Sequence, residues 1–179
     1  RERGFVVVYP QGRENHWNDG RLPPDGKPLS TADDVAFIRI LLQHLEQTAN
    51  VDPRRVVVTG PSNGGMMTLR LACETPELFA AVMPVVASLP VNERPRCTMD
   101  PERLSVVMIN GRDDALVPYG GGQVMAWRKP AGAVFSAAAF KCLLVPWHLL
   151  SLARMIHQLH LRAELVIDLL FLPVDALLD

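Results

Sequence analysis

The sequence predicts an α/β fold built on a mostly parallel, doubly wound sheet, and three observations carry that prediction. Short β-branched runs alternate with helical patterns, clusters of Gly, Pro and Asp separate them, and one run turns straight into a helix through a serine set among glycines. Strands separated by helical segments imply parallel βαβ units, because a parallel pair needs a long crossover and a helix supplies it. The length, 179 residues, suits one domain, and a domain of that size buries about 70% of the surface its unfolded chain exposes.

The elements follow in order. Phe5 to Pro10 ("FVVVYP") reads as a buried strand, ended by Pro10 and the turn formers Gln11 and Gly12. Residues 11–30 are a polar loop containing "HWNDGR". Ser30 or Thr31 is expected to cap a helix running to about Ala49, with Asp33 and Asp34 in its first turn favouring the dipole. Its buried stripe is Val35, Ile38, Leu41, Leu42 and Leu45. Arg55 to Thr59 reads as a buried strand, Met66 to Leu71 as a helix, and Ala80 to Val86 and Leu104 to Asn110 as two further strands. Residues 1–123 thus form the core, and 124–179 read as a divergent strand (Phe140 to Val145) and a long helix of the same domain.

Composition excludes several function classes. Apolar residues make up 49%, charged residues 21%, and the net charge of −1 argues against nucleic acid or anionic membranes as partners. The stretch from Leu149 to Leu172 carries Arg154, Arg162, Glu164 and Asp168, too many charges for a membrane span. Its leucine-rich face must bury either on the sheet or against a second copy of the chain. Cys73, Cys97 and Cys142 allow one disulfide, and spacing does not choose the pair. His157, His160 and Glu164 share a helical face, but a polar stripe opposite Leu152, Met155, Leu159 and Val166 accounts for them, so no metal is expected.

The chemistry is concentrated in "RRVVVTGPSNGGMMTLRLAC" (Arg54 to Cys73). Gly60-Pro61-Ser62-Asn63-Gly64 is G-x-S-x-G, the nucleophile elbow of the α/β-hydrolases. A sharp strand-to-helix turn presents the serine hydroxyl at the carboxyl edge of the sheet, and small residues two before and two after it let strand and helix pass closely. A helix N-terminus beside it favours developing negative charge. A phosphate-binding loop would need a lysine where Met66 follows Gly65.

"GFVVVYPQG", "HWNDGR", "DDVAFI", "VDPRRVVVTGPSNGGMM" and "DDALVPYGGG" together resemble the poly(3-hydroxybutyrate) depolymerase-like and feruloyl or acetylxylan esterase family, over residues 1–123. That resemblance implies an α/β-hydrolase fold and serine esterase chemistry without cofactor. Ser62 matches the nucleophile, and the backbone N–H of Asn63 matches one oxyanion donor. The segment Gly111 to Tyr119 matches the acid loop and places the acid at Asp114, with the adjacent Asp113 as the alternative. Trp17 and Asn18 match a loop at the active-site rim, as substrate contacts or, for Trp17, as a cover on the edge of the core. Secretion is a further implication.

The sequence departs from that pattern at both ends. The family's glycine-rich histidine loop has no counterpart after Gly122, so the base falls to His148 in "VPWHLL", between a strand and a helix, ahead of His157 and His160. The loop that supplies a second oxyanion donor precedes the strand with which the chain opens, which implies an N-terminally truncated sheet. The strand at Phe5 to Pro10 would then be an unprotected edge, inviting pairing with a second copy. Three functions are compatible with these residues: a serine esterase, an inactive relic serving as an interaction module, and a peptidase or thioesterase using the same elbow.

Overall fold

Valine-rich runs form strands where neighbours complete their hydrogen bonds, and the runs around the serine turn do so. The computed structural model describes residues 5–93, 97, 99, 103–126, 128–137 and 166–170. Strands β1 (Val57–Pro61), β2 (Ala81–Val85) and β3 (Ser105–Asn110) are parallel and adjacent in that order. Strands β4 (Gly122–Ala126) and β5 (Lys129–Val134) form a separate antiparallel hairpin with an irregularity between Gln123 and Met125. Strand β6 (Val166–Leu170) lies antiparallel on the far side of β3. The order β1-β2-β3-β6 makes the main sheet mostly parallel, an α/β-hydrolase-like arrangement.

Helix α1 (Asp34–Ala49) precedes β1, and α2 (Asn63–Glu74) connects β1 to β2. Helix α2 carries most of the core. Met67, Leu69, Leu71 and Ala72 are buried with Val82 of β2, Val106 and Met108 of β3, and Ile38 of α1. Each buried aliphatic side chain contributes about 1.5–3 kcal/mol relative to exposure. A second cluster joins Met66 and Ala87 to Val117, Val124, Ala131 and Val134, so the hairpin packs against the carboxyl edge of the sheet. A disulfide between Cys73 and Cys97 ties the end of α2 to the loop after β2, and so settles the pairing that spacing left open.

Four expectations are corrected. Arg55 to Thr59 is not a buried strand: β1 spans Val57–Pro61, alternates exposed and half-buried residues, and leaves Val57 60% exposed. Phe5 to Pro10 is not a buried strand: Phe5 is 74% and Tyr9 91% exposed, and no ladder forms there among the described residues. Hydrophobic sequence alone cannot make a strand, because its backbone N–H and C=O groups need a partner. The cap of α1 is Asp33, whose Oδ1 accepts from Ala36 N–H at 3.0 Å, rather than Ser30 or Thr31. The Ser30 hydroxyl instead accepts from Ala32 N–H at 3.2 Å, closing a local turn. Finally, 166–170 is a strand where periodicity reads helix, since the open side of β3 supplies a ladder for Val166 and Ile167. The Phe140 to Val145 strand and the helical stretch 149–165 lie outside the described residues. Among the described residues no helix is long and apolar enough to cross a membrane.

Candidate active site

Because β1, β2 and β3 run parallel, Pro61, Val85 and Asn110 all end at one edge. Ser62 follows Pro61 with φ 51° and ψ −119°, a conformation that costs a non-glycine residue about 1–3 kcal/mol. Two backbone bonds hold it there. Ser62 N–H donates to Val85 O at 2.9 Å, and Ser62 O accepts from Met66 N–H at 2.9 Å. The hydroxyl makes no helix-capping bond, and the residue is exposed at the start of the 12-residue α2.

The glycines differ in what they do. A Cβ on Gly60 would come within 2.8 Å of Gly64 C, and one on Gly65 within 2.6 Å of both Ala87 Cβ and Gly60 O. At Gly64 the nearest atoms would lie 3.8 Å and 3.9 Å away, an ordinary contact. Strand and helix therefore pass closely at Gly60 and Gly65, while Gly64 has room. Gly65 stands outside the five-residue motif, and only its position against Ala87 reveals its role.

Asn63 clamps the turn to the 16–21 loop. Its Oδ1 accepts from Trp17 N–H at 2.8 Å, and its Nδ2 donates to Trp17 O at 3.0 Å and to Asp19 Oδ2 at 2.6 Å. Trp17 stacks on Phe37 at 6.4 Å and packs against the main core, which is the covering role considered for it. The Asn18 side chain donates to Ala32 O at 2.9 Å, while Asn18 N–H donates to Asp34 Oδ2 at 2.6 Å. The structure thus places both rim residues within the scaffold that supports the turn.

Sequence reasoning missed the buried charges of this loop. Asp19 and Arg21 pair at 2.6 Å with 3% and 4% exposure, inside what reads as a polar surface loop. Arg70 of α2 donates to Asn18 O at 2.6 Å and to Glu74 at 2.9 Å, and lies 3.9 Å from the buried Glu93. The only available signal was opposite charge at Asp19 and Arg21 around Gly20, and no local rule buries such a pair.

Asp114 sits in the loop after β3, across β2 from the Ser62 turn. Two strand spacings separate the strand ends by about 10 Å. Asp114 Oδ1 accepts from Leu116 N–H at 2.8 Å and Val117 N–H at 2.9 Å, which orients the carboxylate. Asp114 is half-buried and Asp113 exposed. His148, and with it His157 and His160, lies outside the described residues. Among the described residues no group of His, Cys, Asp or Glu is gathered as metal ligands would be.

Residues 1–93, half of the chain, match the prolyl oligopeptidase family, Peptidase_S9. The chain belongs to the prolyl oligopeptidase family. Relatives with esterase names extend the likeness toward the acid loop. NocK of Nocardia uniformis subsp. tsuyamanensis, named as an esterase, is 38% identical over 119 residues, covering 66% of this chain and 33% of that protein. Acetylxylan esterase of Coprinopsis cinerea is 38% identical over 86 residues, covering 45% and 22%. Feruloyl esterase B of Piromyces equi is 29% identical over 124 residues, covering 66% and 22%. The chain therefore spans a third or less of the length of these relatives. It is an α/β-hydrolase segment of this prolyl oligopeptidase and esterase group.

Proposed function

We propose that this chain carries the nucleophile and acid of a serine carboxylic ester hydrolase acting through an acyl-enzyme. One observation carries the reading: a strained, exposed serine at the mouth of α2 shares a sheet edge with an oriented carboxylate two strands away. Ser62 Oγ attacks the ester carbonyl carbon while His148 takes the hydroxyl proton, and Asp114 orients the imidazole. The oxyanion receives the Asn63 N–H, the C–O bond to the alcohol breaks, and the alcohol leaves with the proton from His148. Water then attacks the acyl-enzyme by the same route, releasing the carboxylic acid and restoring Ser62. The names of the relatives favour acetyl and phenolic-acid esters, and the resemblance adds short hydroxy-acid esters.

The Cys73–Cys97 disulfide fits an oxidising compartment and so supports secretion. A second reading, a serine peptidase, is favoured by the family match itself, since the same acyl-enzyme serves amides. The test is hydrolysis of p-nitrophenyl acetate and butyrate beside a peptidyl p-nitroanilide, for wild type, Ser62→Ala and His148→Ala. Ester hydrolysis lost in both variants, with the anilide untouched, supports the esterase. Hydrolysis of the anilide selects the peptidase. Undetectable ester hydrolysis, or activity unchanged by Ser62→Ala, overturns the proposal.

A further inference from the structure

The Asp19–Arg21 pair takes no part in the chemistry above, yet it lies directly behind the oxyanion residue. Withdrawing two charges from water costs several kcal/mol per ion unless their hydrogen bonds are well made. Asp19 makes three. Its Oδ1 accepts from Arg21 N–H at 3.0 Å, its Oδ2 accepts from Arg21 Nε at 2.8 Å and Asn63 Nδ2 at 2.6 Å, and Arg21 Nη2 lies 2.6 Å from Oδ2 as the ion pair. The β4–β5 hairpin closes the other side of the loop, where a Cβ on Gly132 would lie 2.8 Å from Arg21 Cβ.

We infer that Asp19, with Arg21 as its counter-ion, is a positioning residue that fixes the Asn63 peptide N–H toward the oxyanion. The role of that N–H rests on the hydrolase reading above, whereas the anchoring of Asn63 does not. Ser62 at φ 51° relaxes unless both flanks of the turn are held. Backbone bonds hold Ser62 itself, and the Asn63 side chain, whose partners among the described residues lie in the 16–21 loop, holds the next peptide. Asp19→Asn keeps the volume but turns one acceptor oxygen into a donor facing other donors.

Two variants test this: Asp19→Asn, and Asn63→Ala, which leaves the Asp19–Arg21 pair intact and decides alone if the first does not fold. In both, the ¹⁵N order parameter of the residue-63 N–H should fall from about 0.85 to below about 0.6. In both, kcat for p-nitrophenyl acetate, per active site titrated, should fall about 10- to 100-fold with KM nearly unchanged. Inhibition by a trifluoromethyl ketone, whose adduct bears an oxyanion, should weaken by the same factor as kcat/KM. A merely structural role would lower the melting temperature and the number of active sites, leaving kcat per site and inhibitor affinity alone, and that result overturns the inference. Wild-type hydrolysis surviving Ser62→Ala would sink the hydrolase reading and the donor role, while the order parameter would still show whether Asp19 holds the turn.

Discussion

The Ser62 turn and the Asp114 loop lie two strands apart on one sheet edge, but they are held in opposite ways. Ser62 is held from a distance. Its N–H reaches Val85, Asn63 beside it reaches Trp17 and Asp19, 46 and 44 positions away, and Gly65 must pass Ala87 without a side chain. Asp114 is held by its own neighbours, through Leu116 and Val117 N–H groups two and three positions on. A residue in a strained conformation needs long-range anchors, because nothing local favours it. A carboxylate closing its own turn needs few.

Substitutions in the two regions should therefore fail differently. The largest effect is expected from Asp114→Asn, which keeps an acceptor for the turn but removes the charge that the proposed mechanism uses to orient His148. The ester kcat should fall about 10⁴-fold with the melting temperature within about 2 °C, whereas Asp113→Asn should leave both nearly unchanged. Equal loss from Asp113→Asn would move the acid to that residue. Gly65→Ala should act on stability instead. Contacts at 2.6 Å to Ala87 Cβ and Gly60 O cannot relax cheaply, so a loss of about 3 kcal/mol is expected, a drop of about 10 °C. Gly64→Ala, one position earlier and inside the recognised motif, should change stability by less than about 1 kcal/mol, since Ala suits a helix and space is available.

The smallest effect belongs to a turn outside both regions. Asp52 caps the turn before β1 and its carboxyl is held below the usual range, chiefly by the side-chain hydrogen bond from Arg54 and then by Arg54 N–H. A lowered folded value means stabilisation present above the unfolded carboxylate range and lost as pH falls through the folded value. The Asp52→Asn melting temperature should thus sit slightly below wild type at neutral pH, and the gap should close in acid.

The same contrast explains what the sequence revealed. The strand-to-helix turn at Ser62, the strand-end place of Asp114, α1, α2 and the three parallel strands are legible because each rests on a local pattern: G-x-S-x-G, a carboxylate in a strand-end turn, periodicities of 3.6 or 2. The burial of the Asp19–Arg21 pair and its grip on Asn63 are not, since no local rule buries such a pair and the grip joins positions 44 apart. Phe5 to Tyr9 shows the converse: a strand-like run without a ladder among the described residues stays exposed. At 166–170 the side of β3 decided the outcome against a helical pattern.

The most direct test of the central claim, that Ser62 is an acylating nucleophile, is intact-protein mass spectrometry after treatment with a p-nitrophenyl alkylphosphonate. A single phosphonyl adduct on the peptide containing Ser62, absent from Ser62→Ala, is the predicted result. No adduct, or one that persists in Ser62→Ala, would contradict it.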